Sequence, residues 1–291
     1  MNYEISLLTV MGISIIAALS LNLITGFCGQ ISLGHAAFLG IGAYSASMFT
    51  KGGLSFLVAL PLSMLITAVI GLIVGFASLR VRDDFLAITT MGTGFLFVGI
   101  VRQQEFFGAE MGIASIPDPG FGKLGYMLFV GLLAILLALF SLYLKRSWMG
   151  YVFDTIADDE DTAKMLGINV SRYKLIAFAL GTAFAGLAGA LYAHNVRFIS
   201  PDSFGFVESV TILSMVVIGG IGSVWGVTIA AAVLSVAPLW FQFIDDYKLL
   251  VYGGLLFFVM RFSPEGLSSV VTKISNRFAG RKDGKQKHPA V

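Results

Sequence analysis

Hydrophobic positions along this chain gather into nine nearly unbroken apolar stretches, roughly residues 5–25, 34–50, 54–78, 85–101, 124–144, 175–193, 207–221, 224–243 and 247–262. Apolar runs near 20 residues match the hydrocarbon core of a bilayer, about 30 Å at 1.5 Å per helical residue. The pattern predicts an all-α, polytopic transmembrane helical bundle of about nine spans (8–10), because a lone span satisfies its backbone in lipid only as a helix. The second, fourth, seventh and ninth stretches are short, and short glycine-rich spans suit the inside of a bundle.

The pattern breaks hardest between the fifth and sixth stretches. Residues 150–173 carry Asp154, Asp158, Asp159, Glu160, Asp161, Lys164 and Arg172, with Lys174 just beyond. One carboxylate at mid-bilayer costs about 2.5–3.5 kcal/mol, and five on the order of 13 kcal/mol by simple addition, so this segment must leave the membrane. Asp158 is placed to cap a helix, with Asp161 three residues on and Gly167 to end it. Such a helix has about 8 residues and a length of roughly 12 Å. A short polar helix between two spans suits the docking of a soluble partner; a solvated loop with incidental helix is the plainer alternative.

Composition agrees with the pattern. Hydrophobic residues make up 57% and charged ones 12%, with mean hydropathy +0.87; a soluble domain carries about 25% charged residues. Charge placement says more than the net +2. The loops 79–84 and 145–174 and the tail from Arg261 hold Arg80, Arg82, Lys145, Arg146, Lys164, Arg172, Lys174, Arg261, Lys273, Arg277, Arg281, Lys282, Lys285 and Lys287, 14 of 19 Lys and Arg. Basic loops stay in the cytoplasm, which predicts a cytoplasmic C-terminus, an outer N-terminus and a cytoplasmic 150–173 segment. Residues 102–123 then form the largest outer loop, turned at Pro117-Asp118-Pro119-Gly120. The expected organisation is a transmembrane domain over 1–275 and a basic, disordered tail over 276–291 near anionic lipid. The first basic residue is Lys51, so no positive leader precedes the first stretch, which reads as a retained span.

Candidate chemistry is sparse. The chain has no GxxxxGK[ST], HExxH or GxSxG pattern, and its three histidines are scattered. The single cysteine, Cys28, reads as a packing residue. Asp83-Asp84 beside Arg80 and Arg82 reads as local pairing in a short inner turn. The polar residues Asn22, Gln30, Ser32 and His35 near the first turn either line a wet path or hydrogen-bond between helices, the second being the simpler reading. Gly34-His35 through Tyr44 and Met215 through Ser223, with Gly219, Gly220 and Gly222, are glycine-interrupted segments in opposite predicted orientation. Inverted repeats of this kind flank translocation paths, though close helix packing also uses glycine.

Longer motifs then add a resemblance. Gly29-Gln30-Ile31-Ser32-Leu33-Gly34-His35-Ala36-Ala37-Phe38, continuing to Gly42-Ala43-Tyr44, resembles the signature of branched-chain amino-acid ABC transporter permeases. Ala163 to Asn169, Tyr173-Lys174-Leu175, Phe184 to Ala193 and Met215 to Gly226 are similar to the LivM-type subunits, in the same order over about residues 15–265. The resemblance implies an importer permease of the prokaryotic cytoplasmic membrane. Its partners would be a second permease subunit of the LivH type, two cytoplasmic ATPase subunits, an extracytoplasmic solute-binding protein and the lipid bilayer, with no nucleic acid. It implies no enzyme activity and no cofactor in this chain, ATP and Mg being bound by the ATPase. Asp158, Asp159, Glu160, Asp161, Lys164 and Gly167 would couple to the ATPase, while Gln30, Ser32, Gly34, His35, Gly219, Gly220 and Gly222 would line or gate the path. The family carries basic residues where this chain has Asp154 and Ala157, and an outer Thr-Gly-Gly-Thr-Asn-Gly where this chain has Phe107 to Gly112. An acidic coupling segment implies a compensating basic groove on its partner. The runner-up, an ion-coupled secondary transporter of small solutes, requires acidic residues in mid-span, and the carboxylates instead cluster in loops, apart from Glu208 near a span start.

Overall fold

In the computed structural model, residues 2–78, 86–240 and 247–262 are described. The expected inner turn at 79–84 and the tail at 276–291 lie outside the described residues. Each of the nine predicted stretches coincides with a helix: α1 (Asn2–Leu21, extended by a π-helical turn Asn22–Gly26), α2 (His35–Lys51), α3 (Phe56–Ser78), α4 (Leu86–Gln103), α5 (Gly122–Arg146), α8 (Val170–Val196), α9 (Phe206–Gly219), α10 (Val224–Trp240) and α11 (Lys248–Phe262). Between α5 and α8 lie two further helices, α6 (Trp148–Asp158) and α7 (Glu160–Met165).

Among the described residues, six helical segments are long and apolar enough to cross a membrane: Tyr3–Gly26, Phe56–Ser78, Leu86–Gln103, Gly122–Arg146, Val170–Val196 and Pro201–Gly219. The remaining predicted spans, α2, α10 and α11, have 17, 17 and 15 residues. At 1.5 Å per residue these reach about 23–26 Å, short of the hydrocarbon thickness.

The outward faces of the bundle carry what a soluble protein hides. Large apolar side chains point outward, for example Leu65, Ile73 and Phe76 on α3 and Leu128, Leu132 and Ile135 on α5. The interior of the bundle buries large residues as well, among them Leu19, Leu23, Phe27 and Phe38, but the contact between α3 and α8 is built from small and weakly polar ones. Beyond Phe56 and Leu60, the buried seam of α3 reads Ala59, Ser63, Thr67, Gly71, Gly75, Ser78, one residue per turn. Without a hydrophobic drive between helices in lipid, this seam gains its energy from close van der Waals approach. Its counterpart is α8, whose Gly181, Thr182, Ala185, Gly186 and Gly189 are all buried. A Cβ at Gly71 would strike Thr182, and one at Gly186 would strike Thr67. On its other side α8 meets α2 backbone to backbone: a Cβ at Gly42 would run into Gly186, and one at Gly189 into Leu39. The buried hydroxyls of α3 and α8 bond back to their own helix, as in Thr67 Oγ1 to Ser63 O (2.7 Å) and Thr182 Oγ1 to Phe178 O (2.9 Å), so they add no unpaired polar atom to this contact.

α1 packs against α5, α8, α9 and α10, and α9 carries α10 and α11. At one end of the bundle, β1 (Ile113–Ala114) pairs antiparallel with β2 (Phe198–Ile199). The ion pairs Arg102–Asp202 and Arg197–Asp118 and the bond from Lys51 Nζ to Ala114 O (3.2 Å) close the same end. The opposite end holds α6, α7 and the α1–α2 and α9–α10 connections.

We expect Gly42→Val to destabilise the detergent-solubilised protein by about 1–3 kcal/mol through overpacking. Gly131→Val, where a Cβ meets nothing within 4 Å, should leave the thermal midpoint nearly unchanged. Thermal unfolding of both variants checks the pair.

Candidate functional site

The polar residues singled out in the sequence converge on the end of the bundle opposite the β ribbon. α1 finishes in the π turn, which swings Asn22 inward, and the chain then crosses to α2 through residues 27–34. That crossing is tied down at each step. Thr25 Oγ1 donates to Gln30 O (2.9 Å), and Gln30 N–H donates to Ile24 O (3.2 Å). Leu33 N–H donates to Thr90 Oγ1 of α4 (3.0 Å), and Ala36 N–H to Ser209 Oγ of α9 (3.0 Å). Gly34 sits so close to Thr90 that a Cβ there would overlap its backbone. His35, fully buried, shares a hydrogen bond with Ser20 Oγ of α1 at 2.8 Å.

The α9–α10 turn reaches the same place. Gly220 and Gly222 take φ +99° and +78°, values that side chains disfavour. Gly222 N–H donates to Asn22 Oδ1 (3.0 Å), and Gly222 O accepts from Lys145 Nζ at the end of α5. A Cβ at Gly26 would strike both Asn22 and Gly222 N. The structure thus joins Asn22 to the Gly219–Gly222 turn and His35 to α1, while Asn22 Nδ2, Gln30 Oε1, Ser32 Oγ and His35 Nδ1 are buried without a hydrogen-bond partner among the described residues. Helix-to-helix bonding therefore accounts for Asn22 and His35 only in part, and for the side chains of Gln30 and Ser32 not at all. Among the described residues no cluster of His, Cys, Asp and Glu could hold a metal.

The acidic segment differs from its expected form. One helix capped by Asp158 was anticipated; two helices are present, and the cap is Asp159. α6 continues through Asp158 because Val152, Phe153 and Ile156 form a buried stripe that holds it helical, which moves the break one residue on. Asp159 is extended (φ −160°, ψ 114°), and its Oδ1 accepts from Asp161 N (2.9 Å) and Thr162 N (3.4 Å), with Oδ2 accepting from Thr162 Oγ1 (2.7 Å). These three bonds favour the carboxylate, the Thr162 hydroxyl most, and hold Asp159 below the usual range. Gly167, at φ +80°, follows the end of α7. Asp161 pairs locally with Lys164 (2.9 Å). Glu160 turns inward and pairs with Lys174 of α8, a lysine with only 4% of its side chain exposed. Asp154 lies on α6; partial burial raises its carboxyl above the usual range, Lys145 pulls it down and Asp158 pushes it up.

Sequence reasoning missed Lys145, counted only as one inner charge, and with it Lys174 as an anchor and the helix α6. A lysine closing an apolar span was a usable signal, since its stem packs while its ammonium seeks an acceptor. The buried spacing Val152, Phe153, Ile156 was another.

Residues 4–260 match the family model described as branched-chain amino acid transport system / permease component. The chain belongs to this family. It is similar to the high-affinity branched-chain amino acid transport system permease protein LivM of Salmonella typhimurium, 33% identical over 97% of this chain and 74% of that protein. To LivM of Escherichia coli K12 it is 35% identical, over 90% of this chain and 69% of that protein. BraD of Pseudomonas aeruginosa is 27% identical over 89% and 92%. No solved structure matches the chain. The protein is therefore a multi-pass permease component of a branched-chain amino acid ABC transport system in the bacterial inner membrane, a passage rather than an enzyme, needing no cofactor of its own.

Two outcomes are expected for this permease. A depressed carboxylate stabilises its cap above the ordinary Asp pKa and loses that contribution as pH falls through the lowered value. Amide exchange at Asp161 and Thr162, corrected for intrinsic rates, should accelerate only at that acid limit, and Asp159→Asn should abolish the pH dependence. Separately, Glu160→Gln leaves the Lys174 charge buried and should cost about 1–3 kcal/mol, part of which Lys174→Met in the same chain restores; a double-mutant cycle on thermal unfolding measures the coupling.

Proposed function

We propose that this permease forms one half of the membrane pathway of an ATP-driven importer for branched-chain or related amino acids. Its companions are a LivH-type second permease, two cytoplasmic ATPases that bind ATP and Mg, and an extracytoplasmic solute-binding protein. The nine apolar helices serve as spans, the short α2, α10 and α11 packed among longer neighbours. The N-terminus is outside and the end bearing α6 and α7 faces the cytoplasm, as the basic residues there favour.

The observation that carries this reading is the form of the α6–α7 segment. It projects from the same end as the Asn22–Gly222 junction, is braced to α8 through Glu160 and Lys174, and presents Met165 (88% exposed) and Leu166 (68%) beside Asp158 and Asp161. Apolar tips on a braced base suit insertion into a groove of another protein, with the acidic rim setting orientation. ATP binding closes the ATPase pair, moves this knob and rocks the attached helices about the glycine-rich crossings, giving alternating access. Buried polar atoms left unpaired, such as those of Gln30 and Ser32, fit a junction that exchanges partners between two states. On this reading Asp158, Asp161 and the apolar tip meet the ATPase, Asp159 and Gly167 shape α7, and Glu160 anchors it.

Met165→Glu combined with Asp158→Lys should lower binding-protein-stimulated ATP hydrolysis by roughly tenfold in the reconstituted complex while the permease still inserts and assembles. Unchanged stimulation would remove the docking role.

A further inference from the structure

The α9–α10 turn is gripped from two sides through a single residue. Asn22 of α1 accepts the Gly222 N–H, and Lys145 of α5 donates to the Gly222 carbonyl. The Lys145 ammonium also stands 5.7 Å from the Phe27 ring centroid, on the α1–α2 crossing. One side chain therefore touches both glycine-rich connections.

Lys145 also sits where α5 passes into α6. Only Arg146 and Ser147 separate it from Trp148, and Ser147 is extended (φ −79°, ψ 166°), so the chain bends sharply there. The bend is not a free hinge. Gly150 of α6 packs so tightly on the end of α5 that a Cβ would overlap the carbonyl oxygens of Leu144 and Lys145. At its far end α6 lies against the α1–α2 crossing, where a Cβ at Gly29 would stand 3.3 Å from Ala157 Cα. A displacement of α6 must therefore carry the end of α5 with it, and with that end the Lys145 ammonium.

We propose that Lys145 is a positioning residue that links the α6–α7 segment to the α9–α10 turn, holding the Gly222 peptide so that movement of α6 shifts α9 and α10. The proposal rests on the docking role given to α6–α7 above and adds the route by which that movement reaches the turn. The ion pair from Glu160 to Lys174 passes movement to α8; Lys145 passes it to the far side of the bundle. The glycines at 220 and 222 give the turn the backbone freedom to follow.

The test uses the full complex with its ATPase and loaded binding protein in proteoliposomes. Uptake and ATP hydrolysis are measured on the same preparation for Lys145→Met, Lys145→Arg and the Met165→Glu/Asp158→Lys variant. Lys145→Met keeps the stem and loses the donor; it should still hydrolyse ATP under stimulation, with uptake per ATP falling about tenfold, while Lys145→Arg restores the ratio. A merely structural lysine would lower the yield of active complex and leave that ratio unchanged, and an unchanged ratio in Lys145→Met overturns the proposal. If the Met variant does not assemble, Lys145→Gln, whose amide is too short to reach the Gly222 carbonyl, should lower the same ratio, and an unchanged ratio there overturns the proposal equally. Lost stimulation in the Met165→Glu/Asp158→Lys variant with a normal ratio in Lys145→Met leaves docking standing and removes this route. Normal stimulation in the former removes docking, and this route with it.

Discussion

Close approach of backbones around α8 is the constraint on which the rest of the structure depends. Gly186 stands against Gly42 of α2 on one side and Thr67 of α3 on the other, and Gly189 against Leu39. In lipid, large apolar residues gain nothing by turning inward, so a bundle holds together where helices come near enough for dispersion to count. This explains why Leu, Ile and Phe face outward on α3 and α5 and why Ser, Thr, Gly and Ala line the contacts around α8. It also explains why so few contacts carry charge until the helices end.

At the end of the bundle that bears α6 and α7, the same scarcity of partners gives each polar contact a consequence. A backbone amide buried there must find an acceptor, and Gly222 finds the side chain of a residue 200 positions away. The π turn at Asn22–Gly26 is the local distortion that aims Asn22 at it, in keeping with the association of such turns with functional positions. Glu160 and Lys174 follow a parallel logic: a lysine with almost none of its side chain in solvent is paired with a carboxylate, and the acidic segment becomes braced where a solvated loop would sway.

These two features together give the permease a mechanical character. The acidic segment is stiff because α6 is buried along Val152, Phe153 and Ile156 and α7 is capped by Asp159. The glycine turn is compliant because its φ values are open to glycine alone at little strain. Under the coupling role proposed for α6–α7, a stiff lever against a compliant joint would convert movement at one surface into rearrangement inside the bundle. Among the described residues of the apolar helices, the acidic side chains stand in first turns, Glu4 on α1 and Glu208 on α9, and not in mid-span where an ion-coupled carrier would use them; membership of the ABC permease family accords with that.

The apolar runs by themselves determined that the chain is a helical membrane bundle and where nine helices lie among the described residues, because a lone apolar span satisfies its backbone in lipid only as a helix. The order of the Gly29–Tyr44 and Met215–Gly226 motifs likewise determined the family. What periodicity and motif could not reach were contacts between distant segments: Lys145 with Gly222, Asn22 with Gly222, Glu160 with Lys174. Local rules placed a cap at Asp158, but burial of Ile156 held that turn helical and passed the cap to Asp159. Tertiary packing decided these points because in each the partner comes from another helix, and its position follows from how closely the glycine and serine seams of that helix let it approach.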